Sequence, residues 1–227
     1  MQRCTRLWQF TGSEVAVESQ EAMAGTSQEA TSRALQVTAG KRSKLLAPDA
    51  VTVWLTGLPG SGMSTLAFAL KKCLRGNGRA CFVLDGDDIR RGLNRDLGFS
   101  PADRRENVRR IAEVAKLLND VGIVAIAAFI SPYREIREMA RQIIRPKHFI
   151  EIHVATRLEV CEERDPKGLY VKARAGLIAD FTGVSAPYET PRSPDLTVDA
   201  GRLSVGESLT MIMFALERRL KRVARKL

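Results

Sequence analysis

"VTVWLTGLPGSGMST", residues 51–65, joins a short apolar, β-branched run to a loop with three glycines and then two hydroxyl residues. A phosphate-binding loop has glycine, four residues, a second glycine, then lysine and a hydroxyl residue. Gly57, Gly62 and Ser64 fall in that register, but the lysine position holds Met63. Such a loop works through its backbone. The glycines let successive N–H groups face a phosphate at the start of the following helix. Ser64 would then reach Mg²⁺ and Thr65 would support the loop.

Working outward, the chain alternates in type. "STLAFALKKCLRGNG" places Leu66, Leu70, Cys73 and Leu74 on one helical face before Gly76-Asn77-Gly78 stops it. "ACFVLDGDD" is expected to be a strand ending in carboxylates. "SPADRRENVRRIAEVAKLLNDVG" opens with Ser100 as N-cap and Pro101 at the first helical position, its apolar face running through Val108, Ile111, Ala112, Ala115 and Leu118. "IVAIAAFI" (123–130) is apolar on both faces, as a central parallel strand should be. "YREIREMARQII" is expected to be helical, "HFIEIHVA" a strand, "RLEVCEERD" a short helix and "DLTVDA" a last strand before a long terminal helix. This alternation predicts an α/β fold, a parallel sheet with helices on both faces. Ligands in such sheets bind beyond the carboxyl ends of the strands, where the glycine loop, "DGDD" and the "FISP" serine all fall.

With 227 residues, 44% hydrophobic and 27% charged, the chain is sized for one α/β domain with terminal additions. Residues 1–48, rich in Ser, Ala, Gln, Glu and Gly, are expected to be a flexible extension; their acids argue against a transit peptide. The domain is expected over 49–220, with a basic tail over 221–227. No apolar run is long enough to span a bilayer. Four scattered cysteines and two histidines give no zinc pattern and point to a reducing, cytoplasmic setting. The net charge of +10 implies an anionic partner, a nucleic acid or a phosphate-rich small molecule. Six of those charges lie in "RRLKRVARKL" (218–227), so an ordinary enzyme with a basic tail is favoured and no nucleic-acid partner is expected.

"DGDDIRRGLNRDLGFSPADRRENVRR", residues 85–110, carries the most chemistry. Asp85 and Asp87 flank a glycine at a strand end, suited to accept a hydrogen bond from an attacking hydroxyl or to hold water on Mg²⁺. Arg90, Arg104 and Arg109 supply cations for an anionic acceptor, and Phe99 offers a flat face for a base.

The set "TGLPGSGMST", "LDGDDIRRGLNRDLGFSPADRRENVRRIAEVAKL", "AFISPYR", "RDPKGLYVKARAG" and "DFTGVSAPYE" closely resembles the adenylylsulfate (APS) kinase family, from about Val51 to about Leu220. The resemblance implies a three-layer P-loop kinase fold with a mobile lid. It implies transfer of the γ-phosphoryl group of ATP to the 3′-hydroxyl of APS, giving PAPS and ADP. The implied nucleotide set is Gly57, Leu58, Pro59, Gly60, Ser61, Gly62, Met63, Ser64 and Thr65, with Ser64 on Mg²⁺ and the lid cations Lys167, Lys172 and Arg174. The implied acceptor set is Asp85, Asp87, Arg90, Phe99, Arg104, Asn107, Ile130 and Phe181, the two phenylalanines sandwiching adenine. Asp85 and Asp87 would act on the acceptor hydroxyl. Ser131 matches a serine the family records as a phosphorylated intermediate; its structural alternative is an N-cap before Pro132. A homodimer and an ATP sulfurylase partner are further implications.

Three positions depart from the family pattern: Met63 for the loop lysine, Ala155 for an aspartate after "FIEI", and Val171 for a basic lid residue. Methionine matches lysine in length and leaves the loop foldable. It is expected to present a neutral thioether to the β- and γ-phosphates and to impair turnover unless a lid lysine substitutes. A second expectation is a relative that binds adenine nucleotides or a partner without phosphoryl transfer.

Overall fold

The computed structural model describes residues 50–224. The extension expected over 1–48 and the final three residues of the tail lie outside the described residues.

Five strands, β1 (Thr52–Gly57), β2 (Cys81–Asp85), β3 (Val124–Ala128), β4 (Phe149–Val154) and β5 (Leu196–Val198), form one sheet in the order β2-β3-β1-β4-β5. Every pairing is parallel, as the alternation predicts. The strand period of two sorts side chains onto two cores. Val53 and Leu55 of β1, with Ile126 and Ile152, enter a cluster under α1 (Met63–Gly76) and α7 (Val205–Ala224). Trp54, with Ala125, Ala127 and Phe149, enters the opposite cluster under α3 (Pro101–Asp120) and α4 (Arg134–Ile144). The result is three layers. Leu216, Leu220 and Val223 are buried, so α7 packs on the core well into the segment expected to be a basic tail.

Two local boundaries correct the sequence reading. The segment expected to be one strand through "DGDD" turns at Asp85, because its carboxylate accepts the Asp87 N–H at 3.1 Å and caps a short helix, α2 (Gly86–Arg91). Asp87 and Asp88 therefore sit in a helical first turn. Ser131 is not an N-cap: α4 begins at Arg134, and its N-cap is Tyr133, whose own side chain makes no capping hydrogen bond. Ser100, by contrast, does cap α3, accepting the Asp103 N–H at 3.2 Å.

β1 lies between β3 and β4, so the chain runs to opposite sides of it and opens a crevice beyond its C-terminal end. The glycine loop fills the entrance to that crevice.

Candidate active site

The loop's shape is forced by space. A Cβ on Gly57 would sit 2.7 Å from both Ser61 Oγ and the Val154 carbonyl, and Gly62 caps α1 at a φ of 103°. Both positions exclude a side chain, the first by contact and the second by conformation. The loop closes on itself through Ser61 N–H to Leu58 O at 3.1 Å, and Thr156 Oγ1 donates to Ser61 O at 2.8 Å from the end of β4.

Met63 takes a different course from the one expected. It is buried and belongs to the apolar cluster of α1 with Leu66, Ala67 and Leu70. An unbranched apolar side chain at the first turn gains more by joining that face than by standing in a polar loop. The side chain is thus core material, which corrects the expectation of a thioether presented to phosphates.

The next residue remains polar and accessible. Ser64 Oγ donates to Asp85 Oδ2 at 2.7 Å, while Asp85 Oδ1 holds the Asp87 N–H. A hydroxyl at the head of α1 and a carboxylate at the end of β2 thus meet across the crevice. Two hard oxygens of this kind suit Mg²⁺, which prefers oxygen ligands and keeps several waters.

Among the residues expected at the acceptor, Arg104 organises the geometry. It is buried and donates from Nε to Phe99 O at 2.8 Å, and from its two terminal nitrogens to Thr182 Oγ1 at 3.1 Å and Asp180 O at 2.6 Å. The backbones beside Phe99 and Phe181 are therefore bridged by one guanidinium. No carboxylate lies within ion-pair distance of Arg104 among the described residues. Phe99 is exposed, with the Arg90 guanidinium 4.2 Å from its ring centroid. Phe181 is buried edge-on to Tyr170, at 5.0 Å between centroids. Arg90 donates to Leu97 O and Gly98 O, and its pKa is lowered by burial and then by Arg104. Asn107 is buried and accepts from Asn94 Nδ2 at 2.9 Å. Arg109 is not brought to the site: it pairs with Glu106 and Glu113 on the outer face of α3.

The segment expected to be a lid follows a short helix, α5 (Leu158–Arg164), and carries another, α6 (Leu169–Arg174). Asp165 accepts the N–H groups of Leu169, Tyr170 and Val171 at 2.8, 3.0 and 3.2 Å, and Tyr170 Oη donates to Pro59 O at 2.9 Å. Burial raises the Tyr170 pKa, so the phenol stays protonated as that donor. Lys167 makes an ion pair with Asp87, joining the lid to α2. Arg174 is spent on Glu162 and Val171 is exposed; of the three lid cations expected at the nucleotide, only Lys172 has no ion-pair partner among the described residues.

Ile130 and Ser131 follow β3. The Ile130 carbonyl accepts from Thr56 Oγ1 at 2.7 Å. Ser131 Oγ is buried, accepting from Trp54 Nε1 at 3.1 Å and lying 3.1 Å from Thr56 Oγ1 and 3.2 Å from Phe129 O. Its hydroxyl is fully engaged.

Sequence reasoning missed Asn94, Asp165, Tyr170 and Arg164. The Arg164 guanidinium lies 3.9 Å from the Cβ position of Gly62 and donates to Ala200 O at 2.7 Å. Only Asp165 left a signal, a carboxylate a few residues ahead of a helix start.

A glycine phosphate loop at the end of the central strand, a serine–aspartate pair across it and a capped lid over it define a P-loop kinase. A family model for adenylylsulphate kinase matches residues 49–199. The adenylyl-sulfate kinase of Geotalea uraniireducens is 57% identical over 169 residues, covering 74% of this chain and 81% of that protein. That of Staphylococcus carnosus is 50% identical over 182 residues, 80% and 92% of the two chains. The structure of a Mycobacterium tuberculosis APS kinase in complex with AMPPNP and APS is 46% identical, with a TM-score of 0.73 over 75% of this chain and 99% of that one. The chain belongs to the adenylylsulfate kinase family.

Proposed function

We propose that this chain transfers the γ-phosphoryl group of ATP to the 3′-hydroxyl of APS, forming PAPS and ADP. The observation that carries this reading is the Ser64–Asp85 contact, which sets the head of the phosphate loop against the carboxylates of β2 and α2. Backbone N–H groups at the end of the loop, residues 62–65, cradle the donor phosphates at the N-terminus of α1. Ser64 and Asp85 are the residues that would hold Mg²⁺, which when bound neutralises charge on the phosphates. Asp87, released from Lys167, orients the acceptor hydroxyl and takes its proton. Phe99 and Phe181 flank the acceptor's adenine, with Arg90, Arg104, Asn107 and Ile130 around the rest.

Transfer is direct in this reading. Ser131 Oγ would have to abandon Trp54 and Thr56 inside the sheet to take a phosphoryl group, so Ser131 serves to hold the β3 exit in place. Lys172 is the lid cation left for the nucleotide phosphates. Methionine at position 63 leaves the loop without a cation of its own, and turnover is accordingly low. The same observation favours a second reading, nucleotide binding without transfer.

The deciding experiment measures ADP release with ATP and Mg²⁺, with and without APS, alongside calorimetry of both nucleotides. APS-dependent release is the expected result. Binding of both nucleotides with no release selects the second reading, absence of APS binding overturns the first, and absence of binding by either nucleotide overturns both.

A further inference from the structure

Arg137, on α4, is 3% exposed and directs each of its three guanidinium nitrogens to a different chain segment. Nε donates to Glu151 Oε1 of β4 at 2.9 Å, one terminal nitrogen to Ser131 O at 2.7 Å, and the other to Glu189 O at 2.6 Å. Around this fork the same two loops are tied again. Glu189 N–H donates to Pro132 O at 2.8 Å, and Arg134 N–H to Glu189 Oε2 at 2.7 Å. Tyr188, beside Glu189, has its Oη 3.0 Å from Thr56 Oγ1, the hydroxyl that also holds Ile130 O.

The residue so held is unusual. Ser131 has a φ of 39°, one of three non-glycine residues with positive φ among the described residues. Such a conformation persists only where the surroundings impose it. Here they do so from both sides, through Trp54 and Thr56 on the hydroxyl and Arg137 on the carbonyl. The turn fixed in this way carries Ile130, a residue of the acceptor set.

We infer that Arg137 is a positioning residue for the acceptor site: its two carbonyl contacts hold the Ile130–Ser131 turn in the shape that receives APS, and Glu151 serves to neutralise its charge. This rests on the reading given under Proposed function. The two roles are separable because only arginine presents a planar fork, whereas any cation can face a carboxylate. Arg137→Lys keeps a charge beside Glu151 and loses the fork. Glu151→Gln keeps the fork and loses the charge, with Arg141 left at 3.1 Å from the altered side chain.

The test measures dissociation constants for APS and for a non-hydrolysable ATP analogue, thermal midpoints, and Trp54 emission in a Trp8→Phe background, since Trp54 Nε1 reports the Ser131 hydroxyl. Arg137→Lys is expected to weaken APS about tenfold, the scale of losing such hydrogen bonds, to leave the ATP analogue unchanged and to shift Trp54 emission. Glu151→Gln is expected to lower the midpoint while APS affinity stays near wild type. The inference is overturned if Arg137→Lys leaves APS affinity and Trp54 emission unaltered, or weakens both nucleotides alike. It is equally overturned if Glu151→Gln weakens APS as much as the lysine variant does. If the wild-type chain itself fails to bind APS, the proposed function falls, and the emission comparison alone decides whether Arg137 shapes the turn.

Discussion

The two halves of the crevice proposed for donor and acceptor are built differently. The donor half is a backbone object: Gly57 and Gly62 set its path, and Met63 sinks into the core beneath it. The acceptor half is a side-chain object, in which Arg104 and Asn107 each reach specific atoms on other segments. A backbone cradle survives loss of a side chain that leaves its φ and packing intact. A side-chain lattice does not, because each missing donor strands a buried acceptor. Met63 therefore falls where the fold absorbs its side chain, and under the proposed function its cost falls on phosphoryl transfer.

Met63→Lys breaks that comparison most sharply. A cation restored to the phosphate loop should raise APS-dependent turnover by about 10²–10³, the scale of one positioned transition-state donor. It should also lower the thermal midpoint, since an ammonium replaces a buried thioether in the α1 cluster and must reach out of it to be solvated. Initial-rate measurements and a melting curve on the same preparation check both. A variant with unchanged turnover would mean that the loop needs no cation of its own.

Much of this was legible in the sequence because it depends on local pattern. Strand alternation, the Ser100–Pro101 start of α3 and the spacing of Gly57, Gly62 and Ser64 are all short-range signals, and each places backbone. The direction of the Met63 side chain was not legible. At the first turn of an amphipathic helix, loop and core compete for it, and only the depth of the packed cluster decides. The Ser131 hydroxyl misled for a related reason: "SP" before a helix reads as a cap, yet the residue points back across the sheet to Trp54, 77 positions away in sequence. The spent cations Arg109 and Arg174 look identical to free ones until their partners Glu106 and Glu162 are in place.

Arg104 tests the acceptor half on its own terms. In Arg104→Leu the guanidinium that joins Phe99 O to Asp180 O and Thr182 Oγ1 is gone, and the buried Thr182 hydroxyl and the two half-buried carbonyls lose their donor. Loss of this bridge predicts an APS affinity lower by about 10–100-fold, the scale of one hydrogen bond to a charged group at roughly 1.5–3 kcal/mol. Binding of the ATP analogue should hold, because the donor cradle takes nothing from Arg104. Equal weakening of both nucleotides would show that the halves are not independent.

The lid touches both halves, through Tyr170 on Pro59 and Lys167 on Asp87, so loosening it sharpens the distinction least but exposes its consequence. Asp165 gathers three N–H groups at the start of a six-residue helix that is too short to stand alone. Asp165→Ala removes that cap at a cost of about 1 kcal/mol, the typical value for a helix N-cap. The penalty falls on the lid's closed geometry and leaves the two cores untouched. The thermal midpoint should therefore move little, while APS-independent release of ADP rises relative to APS-dependent release. Water reaches the donor phosphates more often when Tyr170 is no longer held against the loop. A ratio of the two release rates equal to wild type would assign the lid to structure alone and leave the exclusion of water to the acceptor itself.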